Sequence, residues 1–238
     1  LDRRAALGYG RPRAELLRGL LLGWLAGIAI LLVLVLALLG LGVRVPDPDA
    51  AAGHARLARK AMQALAAGLL VGILEETFFR GALFTAIRRR GTAASAITAS
   101  ALLYAAVHFL KPGALDTHGP VDWPAAGRMV LDGFTGAVAW TSLDSFVALV
   151  MVGVLLGLVR ERTGHIGWCI GLHAGWVLVI QVARHLTDGN AASAYALLAG
   201  EYDGVIGWLA AGWLAVLTAG YQRLARRSGP LTATERRV

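Results

Sequence analysis

At 57% hydrophobic and only 16% charged residues, a chain of 238 amino acids is too apolar for an ordinary soluble domain. Its net charge of +8 would suit an anionic surface or nucleic acid, but the placement of the basic residues reads as membrane topology and no nucleic-acid partner is expected. The single cysteine, Cys169, excludes an internal disulfide and a cysteine-rich metal site, and in an apolar helix it reads as a small packing residue.

Residues 1–18 form a basic segment carrying Arg3, Arg4, Arg11, Arg13 and Arg18. The uncharged run 19–43 approaches the length needed to cross a hydrocarbon core of about 30 Å. It is longer than the core of a signal peptide and lacks a small-residue cleavage pattern, so a retained helix is expected. Five further apolar stretches, near 62–87, 92–110, 142–159, 164–183 and 204–222, predict an all-α, polytopic transmembrane bundle of about six spans. With the N-terminus cytoplasmic, 15 of the 23 basic side chains fall on the inner side, seven on the outer side, and Arg80 inside the membrane. That asymmetry places both termini in the cytoplasm. The outer loop 111–141 holds Pro112, Pro120 and Pro124 and several Asp, which argues against a further span; part of 125–138 suits a short interfacial helix, with Trp123 and Trp140 at headgroup depth. The expected organisation is a basic segment 1–18, a first helix and loop 19–61, a core 62–183, and a loop, last helix and basic tail 184–238.

Glycines mark close helix approaches: Gly68 and Gly72, Gly153 and Gly157, and the run Gly167, Gly171, Gly175 all have four-residue spacing. Gly68, Gly72 and Glu75 fall at i, i+4, i+7, so the packing face is expected to carry the first glutamate inward.

Chemistry concentrates in Glu75-Glu76-Thr77-Phe78-Phe79-Arg80, in the middle of the second stretch. Ionisable groups at bilayer depth cost roughly 2.5–3.5 kcal/mol each on insertion scales, so they mark function. On a helix Glu76 and Arg80 are neighbours at i, i+4, suited to a structural ion pair, while Glu75 projects about 100° away with no local partner. An unpaired carboxylate beside a like charge is suited to general acid–base work near neutral pH. His108, one turn after Tyr104, and His173, between Gly171 and Gly175, add two imidazoles on later spans. Counted from the cytoplasmic arginines at about 1.5 Å per residue, Glu76 and His173 lie roughly 17 Å deep, and His108 about 10 Å further out. Asp144 and Asp203 lie near the outer interface and are not expected to join. Zinc-protease, nucleophile-elbow and phosphate-loop motifs are absent.

Glu-Glu-x-x-x-Arg on one span, aromatic-x-x-x-His on the next and His-Ala-Gly-Trp on a later one resemble the CPBP (CaaX protease and bacteriocin-processing, or Abi) family of intramembrane endopeptidases, over roughly Leu65–Gln181. The resemblance implies peptide-bond hydrolysis in a membrane cavity, with Glu75 and His108 activating water, His173 assisting at the oxyanion, and Glu76, Arg80 and Tyr104 in support. Two positions depart from the family pattern. Tyr104 stands where Phe is usual, and Val177 stands one turn after His173, where many members place Asn or Asp. Losing one oxyanion donor can cost about 100- to 1000-fold in rate. Gln181 lies one turn further along.

The resemblance also admits a metalloprotease, with zinc on Glu75, His108 and His173. The expectation preferred here is a glutamate-type enzyme without a cofactor, because the two histidines sit on different helices at different depths. The partners implied are the lipid bilayer and a membrane-associated protein or peptide substrate, and the setting a bacterial inner membrane. Two alternatives stay open. One is a catalytically impaired relative that binds peptides or gives bacteriocin immunity, favoured by Val177. The other is a proton-coupled transporter using the Glu/His set as a relay.

Overall fold

The computed structural model describes residues 2–50, 53–110, 124, 127, 143–200 and 202–227. Trp123, Trp140, most of the interfacial helix expected at 125–138 and the tail beyond 227 lie outside the described residues. The chain is helical: α1 (Arg3–Ala6), α2 (Arg13–Gly40), α3 (His54–Glu76), a π-helical turn (Thr77–Leu83), α4 (Phe84–Arg88), α5 (Ala93–His108), α6 (Leu143–Thr163), α7 (Gly167–Leu186) and α8 (Trp208–Arg227). One small feature was not expected. Strands β1 (Arg44–Pro46) and β2 (Thr187–Gly189) form an antiparallel ribbon, with Val45 opposite Asp188.

Two helices organise the bundle. α7 packs between α2 and α3, and α6 packs between α5 and α8. Every glycine run in the sequence lies on one of these seams. A methyl group at Gly23 or Gly27 would sit 2.5 Å from the carbonyl oxygen of Trp168 or Leu172, and one at Gly175 2.5 Å from that of Trp24. Gly68 faces Ala174, and Gly153 faces Ala101. The backbones touch because these residues have no side chain to hold them apart.

The opposite face of α2 is bare hydrocarbon, with Leu17, Leu21, Leu25, Leu32 and Leu36 exposed. Side chains of this kind each lose about 1.5–3 kcal/mol by staying in water rather than an apolar medium, so lipid is their solvent. Among the described residues four helical segments are long and apolar enough to cross a membrane: Arg13–Gly40, His54–Arg88, Leu143–Thr163 and Gly167–Leu186. α5 has 16 residues, about 24 Å of helix, and falls short of that length. α8 has the length but is not among the four, so its apolar content is what falls short.

The ribbon joins the ends of α2 and α7. Arg44 is buried there at 5% exposure. Its Nε donates to Thr187 Oγ1 at 2.6 Å, Nη1 donates to the Gly204 carbonyl at 2.9 Å, and Nη2 reaches the Thr187 carbonyl.

Candidate active site

α3 delivers two adjacent carboxylates to two different environments. Its buried stripe is Ala64, Gly68, Gly72 and Glu76, so the residue carried inward is Glu76 and not, as the i, i+7 spacing suggested, Glu75. The reason is geometric. A contact line along i, i+4 rows runs obliquely to the helix axis, and after two steps it has drifted to residue 76. Glu75 is left at the edge of the seam, with 29% of its side chain exposed.

Glu76 is fully buried and fully engaged on one oxygen. Its Oε1 accepts from Arg80 Nη1 at 3.2 Å and from His173 Nδ1 at 2.9 Å. Arg80 also has no exposure. Its Nη2 donates to the Gly153 carbonyl at 3.3 Å, and its guanidinium lies 4.4 Å from the centre of the Tyr104 ring. The π turn makes room for this knot. The N–H of Phe84 bonds the carbonyl of Phe79, five residues back, so the Arg80 carbonyl is open to accept from Arg160 Nε at 3.0 Å.

His108 is the last residue of α5, a helix opened by Thr92, whose Oγ1 accepts the N–H of Ser95. Its Nδ1 lies 2.8 Å from the Tyr104 carbonyl. A carbonyl only accepts, so Nδ1 carries a proton and Nε2 is the ring nitrogen left to face Glu75. The same logic fixes His173, whose Nδ1 donates to the Glu76 carboxylate. Both Nε2 atoms converge on one oxygen: Glu75 Oε2 lies 3.8 Å from each. That oxygen is buried and has no hydrogen-bond partner among the described residues. The 10 Å depth mismatch expected for His108 is absent. Counting axial rise ignores side-chain direction. α3 and α5 are joined through a tight turn and run oppositely, and each Cβ leans toward its own helix N-terminus, so Glu75 and His108 reach toward each other.

Glu75, Tyr104, His108, His173 and Val177 all line one cavity of about 250 Å³. The Tyr104 ring packs 4.4 Å from that of His108, centre to centre. The rest of the wall is mainly aliphatic and aromatic, from α2, α6, α7 and α8. A zinc ion bonded at about 2 Å in a tetrahedron needs donors roughly 3.3 Å apart, closer than 3.8 Å. Among the described residues no three His, Cys, Asp or Glu side chains are placed to hold a metal ion.

The family model described as type II CAAX prenyl endopeptidase Rce1-like matches residues 57–179, just over half of the chain. The chain belongs to the Rce1-like family. The match contains Glu75, Tyr104, His108, His173 and Val177, which line the cavity, and Glu76 and Arg80, buried behind His173. No curated protein and no solved structure matches the chain. An Rce1-like chain with four helices able to cross a bilayer is an integral membrane protein of a protease family whose substrates are membrane-associated proteins.

Several neighbours of this Rce1-like site had no signal in the sequence. The N-terminal segment, expected only as a basic tail, docks across the π turn. Tyr9 Oη and Thr77 Oγ1 share a hydrogen bond of 2.7 Å, and Thr85 Oγ1 donates to the Ala6 carbonyl at 2.8 Å. Asp203, placed by the sequence near the outer interface, lines the same cavity together with Gln181 and Arg184. Burial lifts the Asp203 carboxyl above the ordinary carboxylate range, partly offset by the amides of Ile206 and Val205 and by Arg184 and Arg44.

Proposed function

We propose that this protein is an intramembrane endopeptidase of glutamate type that hydrolyses a peptide bond of a membrane-associated protein or peptide. The observation that carries the reading is the convergence of two imidazole Nε2 atoms on the buried Oε2 of Glu75 at the end of an apolar cavity. A water entering beside Glu75 and His108 gives up a proton to Glu75 as its oxygen attacks the scissile carbonyl. The C–O bond forms, the tetrahedral intermediate collapses, and the C–N bond breaks as the proton passes from Glu75 to the leaving nitrogen. His173, held through Nδ1 by Glu76, donates from a protonated Nε2 to the oxyanion. Arg80 holds Glu76 for that task from a site sealed from water.

The apolar stretches support about six crossings and the charge asymmetry both termini in the cytoplasm; the setting is a bacterial inner membrane, with the protease core of 62–183 flanked by the first and last helices. No step is routed through a metal, because the described donors do not form a three-ligand set. The test compares peptide termini in membranes holding wild type or Glu75→Gln at matched expression. New termini found only with wild type and persisting in a chelator are expected, with loss of about 100- to 10,000-fold in rate for the variant. Termini that vanish with chelator would sink the metal-free mechanism, and identical profiles from a folded variant would sink proteolysis.

A further inference from the structure

The cavity has a second polar end. Beyond His173 the wall contributed by α7 passes Trp176, Val177 and Ile180 before it reaches Gln181 and Arg184. Five other arginines, buried or at helix ends, are engaged by the protein. Arg80 has Glu76, Arg88 has Glu161, Arg11 has Glu15, and Arg44 and Arg160 are bonded to backbone oxygens. Arg184 is exposed and lines the cavity, yet among the described residues it makes no hydrogen bond or ion pair. Asp203, a carboxylate that feels the Arg184 charge, directs Oδ1 to the amides of Val205 and Ile206, at 2.9 and 2.7 Å. A guanidinium at the mouth of an apolar cavity, with its five donors unspent, is a fork waiting for a planar anion.

We propose that Arg184 is a specificity-determining residue that anchors a carboxylate of the peptide substrate, at the end of the cavity remote from Glu75. The proposal rests on the peptidase reading of the same cavity. Arg184 follows His173 by eleven residues, about 16 Å along α7. An extended peptide advances about 3.3 Å per residue, and the arginine side chain leans back toward the helix N-terminus, so the anion falls about three to five residues from the bond cut. Gln181, one turn earlier on the same wall, is placed to share it. A free C-terminal carboxylate and an Asp or Glu side chain offer the same chemistry at that distance. An arginine near the end of a span also commonly reaches for a lipid phosphate. Here the side chain lines the cavity with Gln181 and Asp203, which favours the peptide.

The experiment uses the full-length chain carrying Glu75→Gln, in neutral-lipid nanodiscs, so that peptide is bound without being cut. Three dansylated seven-residue peptides of Ala and Leu are titrated: one ending in a free carboxylate, one amidated, and one amidated with Glu as its last residue. The free acid is expected to bind about 10- to 100-fold more tightly than the plain amide, the span of one charge-assisted hydrogen-bonded pair. Adding Arg184→Gln should bring that ratio to about one, and Arg184→Lys should leave an intermediate ratio. Tight binding of the Glu peptide would show that a side-chain carboxylate serves as well as a terminal one. Equal binding of acid and amide, or an unchanged ratio in Arg184→Gln, overturns the proposal. So does a variant that loses only retained phosphatidylglycerol, since that assigns Arg184 to lipid. Acid-selective binding by a wild-type chain that cuts nothing would instead defeat the peptidase reading while leaving the anchor standing.

Discussion

Among the described residues Arg44, Arg80 and Arg160 are buried, and the first two are held in opposite ways. Arg80, in the π turn, is answered by a carboxylate, a carbonyl and an aromatic face. Arg44, at the start of the ribbon, donates to neutral oxygens, the hydroxyl and carbonyl of Thr187 and the carbonyl of Gly204, with Asp188 and Asp203 acting on it at longer range. Neutral acceptors are enough to pin a chain crossing. A buried carboxylate is costly to keep charged, and at Arg80 it is also the group that orients His173. The contrast separates a fastening from a positioning device, although both are buried cations.

Arg80→Met should break the comparison most sharply. It leaves Glu76 in the core without its guanidinium and held by His173 Nδ1 alone, a loss of about 3–5 kcal/mol that thermal unfolding in detergent would register. Arg44→Met removes hydrogen bonds to neutral oxygens at the edge of the bundle, so a smaller loss of about 1–3 kcal/mol is expected. The double change Glu76→Leu with Arg80→Met should recover much of the stability lost in Arg80→Met, because no lone charge remains buried. It should not recover cleavage, since His173 Nδ1 then has no acceptor. Recovery of both would show that the Glu76–Arg80 pair is structural alone.

Val177→Asn sharpens the comparison from the other side. Val177 lines the cavity one turn beyond His173 and contributes nothing polar there. An amide at that place would add an oxyanion donor, and a rise in kcat of about tenfold or more is expected with little change in KM. No change in kcat in a folded variant would mean that position 177 does not face the developing charge.

Much of this was legible in the sequence because it follows helical periodicity. The glycines at the seams stand in runs spaced by four, and the charged and imidazole groups stand out against apolar spans. Which of Glu75 and Glu76 is carried into the packing seam was not legible, because it depends on the angle at which α3 crosses α7. The π turn left no mark either. It shifts one hydrogen bond by one residue, and only the tertiary bond from Arg160 to the freed carbonyl shows why. Contacts of long separation, such as Tyr9 with Thr77 or Arg44 with Gly204, have no local pattern at all. Axial counting misjudged His108 because it measured helix rise and left out side-chain direction.

The smallest effect tests the ribbon end by pH. Asp203 is lifted by burial above its unfolded value, which is about 3.9 for Asp. As pH rises from that value to the raised folded one, the unfolded chain has already released its proton while the native chain still holds it. The native state therefore binds more protons across this window, and stability falls as pH increases through it, then stays level above. Asp203→Asn keeps an oxygen for the amides of Val205 and Ile206 but has no charge to bury. The variant should match wild type in Tm at about pH 4 and exceed it modestly at pH 7. A Tm difference of equal size at both pH values would mean that the substitution acts through packing, and that the ribbon end, unlike the Arg80 knot, carries no cost for burying a charge.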